Sequence, residues 1–166
     1  MGDAEAPTGA LWLVVSEDDY LWYVDLALDE MVAIVNGLGD SAANRRPDLA
    51  GANSPYAILT HCLGVLEFWG GLMVAERAIT RDRDAEFESQ GAVIDLAQRA
   101  ATARRQLAAD ISGFDASAAP PQVLPPEDAD LPYAKSKGGV LLHVLEELLQ
   151  HLGQMELSRD VLLSEG

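Results

Sequence analysis

The chain has 166 residues, 49% of them apolar, which suits one domain (1–166) able to bury about two-thirds of its unfolded surface without help from a disulfide or metal. A formal net charge of −16 with scattered basic residues repels phosphate backbones, so nucleic acid is excluded as an expected partner. No 18-residue apolar run interrupts the sequence and Met1–Ala6 lacks the charged-then-apolar pattern of a leader, so the expectation is a cytoplasmic protein with no membrane contact.

Ser16 followed by Glu17, Asp18 and Asp19 reads as an N-cap with acidic first-turn residues. Leu21, Val24, Leu28, Met31, Val35 and Leu38 then recur at spacings of three and four, predicting a first helix stopped by Gly37 and Gly39. Leu11 to Val15 either extends this helix or packs a dimer seam. The polar stretch 40–51 reads as a loop.

Asn53-Ser54-Pro55 reads as an N-cap with proline in the first turn of a second helix. Its apolar stripe is Ile58, Cys62, Val65, Trp69 and Leu72, its end falls near Ile79, and His61 points inward or to the stripe's edge. Arg81 to Glu88 reads as a charged linker. Val93, Leu96, Ala100, Ala103, Leu107 and Ile111 predict a third helix ending before Gly113.

Prolines 120, 121, 125, 126 and 132 forbid helix between Phe114 and Lys137, predicting a long crossover over one end of the bundle. A fourth helix follows from about Gly139 to Leu163, with Leu141, Val144, Leu145, Leu148, Leu152, Met155 and Leu162 as its buried stripe. No strand-like alternation is long enough to build a sheet. The fold class is therefore all-α: a four-helix bundle with a long crossover before the last helix.

On the last helix Glu147 and His151 stand four apart and share a face. Alone they read more often as a surface pair on an acidic helix, and His61 alone as a hydrogen-bonded histidine on a helix flank. Together the three offer two imidazoles and a carboxylate, a set that suits Zn²⁺, with Ni²⁺, Fe²⁺ or Mn²⁺ as alternatives, and leaves coordination positions open. A ferritin-like dinuclear centre fits poorly, because residue 150, three after Glu147, is glutamine. Cys62 lies on the apolar stripe and reads as a buried inert thiol.

Two stretches carry a resemblance. Arg46-Pro47, Ala52-Asn53-Ser54-Pro55 and His61 through Trp69 form the first; Leu141-Leu142-His143, Glu146-Glu147, His151-Leu152-Gly153-Gln154 and Arg159-Asp160 form the second. Together they resemble the DinB-like metalloenzyme superfamily, in particular the branch of mycothiol-dependent maleylpyruvate isomerase and related thiol S-transferases. Much of the wider family has a third histidine where this chain has Glu147, and that branch has glutamate.

The resemblance implies one divalent metal on His61, Glu147 and His151, with mycothiol or another low-molecular-weight thiol as cosubstrate. It implies addition of a thiolate to a small electrophile, followed by isomerisation or by retention of the thiol on the product. His143, Gln154 and Arg77 are the candidates for supporting the metal or meeting substrate, and a homodimer rests on analogy. The competing readings are a metal-free bundle for self-association or partner binding, and a metal-dependent hydrolase with Glu146 or His143 as proton carrier.

Overall fold

The computed structural model describes residues 15–121, 131, 133 and 135–164. They form α1 (Glu17–Ala43), α2 (Pro55–Val65) continued by a π-helical segment (Leu66–Val74), the short α3 (Arg83–Phe87), α4 (Val93–Ile111) and α5 (Lys137–Ser164), with no strand among the described residues. The all-α expectation holds.

Local chemistry sets the helix starts. The Ser16 hydroxyl accepts from Asp19 N–H at 3.0 Å, and Ser54 accepts from Ala57 N–H at 3.2 Å with Pro55 in the first turn behind it, each meeting a donor that the helix leaves unpaired. α4 begins after Ala92, which has no capping side chain, and the Val93 N–H is met instead by Asp40 at 2.8 Å. This cap comes from 53 residues away, so α4 acquires its start only when α1 is beside it.

Cross-helix bonds fix the directions. Tyr20 donates to the Leu141 carbonyl at 3.0 Å and Arg45 to the Leu162 carbonyl at 2.9 Å, so α1 and α5 run parallel. Glu17 accepts from Gly113 N–H, and Arg104 pairs with Asp25 and Asp29, so α4 runs antiparallel to α1. The α2 rod runs against α5, with His61 level with His151 and Trp69 level with His143. α1 and the α2 rod each pack on both α4 and α5.

This up-down-down-up order makes α2 and α4 parallel, so residues 75–92 must travel back along the bundle. That return, and not only the crossover before α5, bears on the site.

Pro55–Val74 is apolar enough by composition to cross a bilayer, but 78% of its most apolar window is buried among the other helices. It is the core rod of the bundle, apolar all round because it is covered all round. Each fully buried leucine or isoleucine along it, such as Ile58, Leu59 and Leu66, contributes about 1.5–3 kcal/mol of hydrophobic stabilisation.

Several boundaries differ from the sequence reading. α1 does not stop at Gly37 or Gly39; Gly39 takes φ 67° and kinks the helix, which runs on to Ala43. Only glycine adopts that conformation cheaply. The second helix ends at Val74 rather than near Ile79, where Glu76 at φ 59° turns the chain out. The charged linker contains a helix, α3. Trp22, whose place by sequence was the core or a dimer contact, is 59% exposed. Trp12 and most of Leu11 to Val15 lie outside the described residues, as does the proline-rich centre of the crossover.

Candidate metal centre

His61 is carried two turns into α2 and is 2% exposed. Its Nε2 lies 3.5 Å from Glu147 Oε2, and His151 Nε2 lies 3.4 Å from the same oxygen. The His61 and His151 rings meet edge to face at 4.8 Å. One ligand-type atom from each of the three residues lies within 4.8 Å of the others, so the tertiary fold brings together the set the spacing singled out.

His61 Nε2 is buried and has no hydrogen-bond partner. An unpaired imidazole nitrogen in a helical core costs on the order of 1–3 kcal/mol, and a cation shared with Glu147 and His151 would remove that cost. The residues therefore fit a divalent metal.

Each imidazole is held from behind. His151 Nδ1 faces Gln154 Oε1 at 2.9 Å; an amide oxygen only accepts, so Nδ1 carries a proton, and Nε2 is the nitrogen that a cation would take in place of its contact with Glu147. Gln154, a candidate for substrate contact or ligand support, lies against the His151 ring. His61 Nδ1 faces Glu86 Oε2 at 2.9 Å, and the Phe87 ring stacks on His61 at 4.4 Å.

In the absence of a cation the two α5 residues perturb each other. The His151 imidazole beside it, and then His61, hold Glu147 well below the ordinary carboxylate range against the opposing effect of burial. Glu147 raises the His151 pKa, with burial and the Arg83 charge opposing and Gln154 assisting.

His143 stands apart from the three. Its ring stacks on Tyr133 at 4.1 Å and meets Trp69 edge-on at 4.9 Å, and its Nδ1 faces Glu146 at 3.1 Å. Its Nε2 is 3.9 Å from Glu147 Oε1, which places it beside the ligand carboxylate. His143, Glu146 and Glu147 could also gather round a cation, but the Glu146 side chain is 59% exposed, where water competes for the ion.

Arg77 stands apart from the metal-ligand set: it bridges Glu67 at 3.0 Å and Asp110 at 2.9 Å, lying across Gly71. Its charge ties the π segment to α4. Cys62 is fully buried, and burial pushes its thiol pKa far up, with Glu147 and Glu86 adding to the effect; it cannot serve as a nucleophile at neutral pH.

Sequence reasoning missed Arg81, Glu86 and Phe87, assigned to a linker. Asp82-Arg83-Asp84-Ala85-Glu86 was a signal, since an aspartate three residues before Ala85 is an N-cap pattern; Asp82 does accept from Ala85 N–H at 3.0 Å. A cleft of about 800 Å³ lined by Thr60, Gly64, Arg81, Glu86 and Arg99 opens behind these residues, away from the three converging nitrogens and oxygens.

Comparison with curated proteins and with solved structures gives no match. The DinB superfamily model matches residues 23–155, a span that begins within α1, contains the α2 rod, α3 and α4, and reaches past His151 on α5. A chain matched over that span, with an all-helical bundle and a His–Glu–His cluster between α2 and α5, belongs to the DinB superfamily.

Proposed function

We propose that this protein is a metal-dependent thiol S-transferase or isomerase acting on small electrophiles, of the mycothiol-using kind. The observation that carries the metal is the orphaned, buried Nε2 of His61 converging on Glu147 and His151. Zn²⁺ suits two imidazoles and a carboxylate, with Ni²⁺, Fe²⁺ or Mn²⁺ as alternatives. Bound there, it would favour a thiolate at neutral pH and polarise a substrate oxygen.

The chain's own residues do the rest. His61, fixed from behind by Glu86, and His151, fixed by Gln154, turn their Nε2 atoms to the place a cation would take. Glu147, ionised beside His151, supplies the negative charge. Trp69, Tyr133 and His143 make an aromatic wall next to Glu147. With Cys62 buried and protonated, the sulfur must arrive on a cosubstrate, and glutamate at position 147 favours the mycothiol branch.

A cytoplasmic location goes with this reading, as does a homodimer, supported by exposed Trp22 and Leu26 on α1 and Leu142 and Leu149 on α5. His143 held between Glu146 and Glu147 favours a second reading, a hydrolase using water with His143 moving the proton.

The test is metal content per chain for wild type and His151→Ala after identical loading, then turnover of an electrophile panel with mycothiol, with other thiols and with none. About one equivalent lost in the variant and thiol-dependent turnover support the proposal. Turnover without thiol moves it to the hydrolase. No metal in either protein leaves a non-catalytic bundle.

A further inference from the structure

We infer that Glu86 is a positioning residue for the metal centre: it holds His61 with Nε2 aimed at Glu147 and His151, Arg81 fixes Glu86, and Gly64 leaves the space that the carboxylate occupies. This rests on the metal reading above but adds a part of the site that no ligand motif contains.

α3 carries Glu86. This five-residue helix has no buried residue, so it gains little from the hydrophobic core. Its ring and hydrogen-bond contacts with α2 converge on His61: Phe87 stacks on the His61 ring and Glu86 meets His61 Nδ1 at 2.9 Å. Arg81 grips the same carboxylate through two bonds, Nε to Oε1 at 2.7 Å and Nη2 to Oε2 at 2.9 Å. That fork leaves the carboxylate little freedom.

The proton on His61 follows. Glu86 accepts only, and two acceptors 2.9 Å apart repel, so Nδ1 carries a hydrogen and Nε2 is left as the nitrogen turned toward Glu147 and His151. Arg81 Nη2 also lies 3.3 Å from Nδ1, but a guanidinium is a donor too and takes no bond there. A histidine merely neutralised in a core would have both nitrogens satisfied; here one is firmly bonded and the other is buried and unpartnered. A carboxylate behind a ligating imidazole sets its tautomer and orientation and raises its basicity.

Gly64 stands one turn after His61. A Cβ built there would overlap Glu86 Oε1 and lie 2.6 Å from its Cδ. Glycine in a helix interior is otherwise unfavourable, and here it gives Glu86 direct access to the helix surface beside His61.

Two measurements test this. In metal-free protein, long-range ¹H–¹⁵N correlation of the histidine rings should show His61 Nδ1 protonated and hydrogen-bonded, and in Gly64→Ala or Glu86→Ala a loss of that hydrogen-bonded Nδ1–H. Zinc affinity, by competition with a chromophoric chelator, should fall roughly 10- to 100-fold in both variants, with altered Co²⁺ ligand-field bands and partial recovery in Glu86→Gln, which keeps an acceptor oxygen.

Glu86→Gln and Glu86→Ala both lose the charge that Arg81 grips and should melt alike, so partial recovery of zinc affinity in Glu86→Gln alone separates positioning from mere structure. His61 lacking a proton on Nδ1 in the wild type, or wild-type affinity and unchanged Co²⁺ bands in Glu86→Ala, would overturn the inference. A wild type that takes up no metal yet shows the Nδ1–H tautomer would instead overturn the metal reading on which it rests, and the inference with it.

Discussion

Arg77 separates a structural cation from a substrate-binding one, and the structure gives a definite expectation for its removal. Arg77→Met keeps the aliphatic stem over Gly71 and deletes the guanidinium. Asp110, 3% exposed, would then keep only the Gln106 amide at 2.8 Å, while Glu67, 40% exposed, would turn to water.

Stranding a fully buried partner costs about 3–5 kcal/mol. Because the Arg77 side chain is 31% exposed, solvent reaches the gap and the expected cost is about 2–3 kcal/mol. For a chain of this length each 1 kcal/mol moves Tm by roughly 2–4 °C, so calorimetry of the metal-free protein should show a drop of roughly 4–12 °C.

Asp110→Asn in the Arg77→Met background removes the stranded charge and should recover about half of the loss. Zinc affinity and the KM of the folded variant should stay at wild-type values. An unchanged Tm accompanied by a tenfold rise in KM for an anionic electrophile would refute the structural account and return Arg77 to substrate binding.

Zinc at about 100 times its dissociation constant should stabilise the wild type by about 2.7 kcal/mol, a rise of roughly 5–11 °C in thermal melts that His151→Ala should abolish and a chelator reverse. In metal-free protein the lowered Glu147 pKa gives stability that is present above the ordinary carboxylate value of 4.5 and lost as pH falls through the lowered one. The raised His151 pKa gives stability present below 6.5 and lost as pH rises through the raised value. The Tm advantage of wild type over Glu147→Gln should therefore be greatest near roughly pH 5.5 and shrink at pH 3 and pH 9; an advantage that grew steadily with pH would contradict the pairing. Ser54→Ala removes the cap on Ala57 N–H and should cost about 1 kcal/mol by denaturant titration.

The sequence by itself determined the helices whose burial is one-sided or complete. Val24, Leu28, Met31 and Val35 on α1, and Leu96, Ala100, Leu107 and Ile111 on α4, are all buried as their spacing required, because a period of 3.6 is a property of the chain. Ser16, Ser54 and Pro55 marked helix starts for the same local reason. The pairing of Glu147 with His151 was equally local, being one turn of one helix.

What required the tertiary structure was every relation between segments. Only the up-down-down-up packing brings His61 to α5, leaves its Nε2 unpartnered and makes three scattered residues one cluster. The α4 cap from Asp40 and the use of Arg77 between Glu67 and Asp110 are long-range bonds with no sequence period. Residues 81–88 look like a solvated linker because their charges are unexplained until Arg81, Glu86 and His61 are seen in contact; a short helix with no buried face has no apolar stripe to announce it. Helix periodicity is written along the chain, whereas the partner of a buried polar group is fixed only when the helices that carry both have packed.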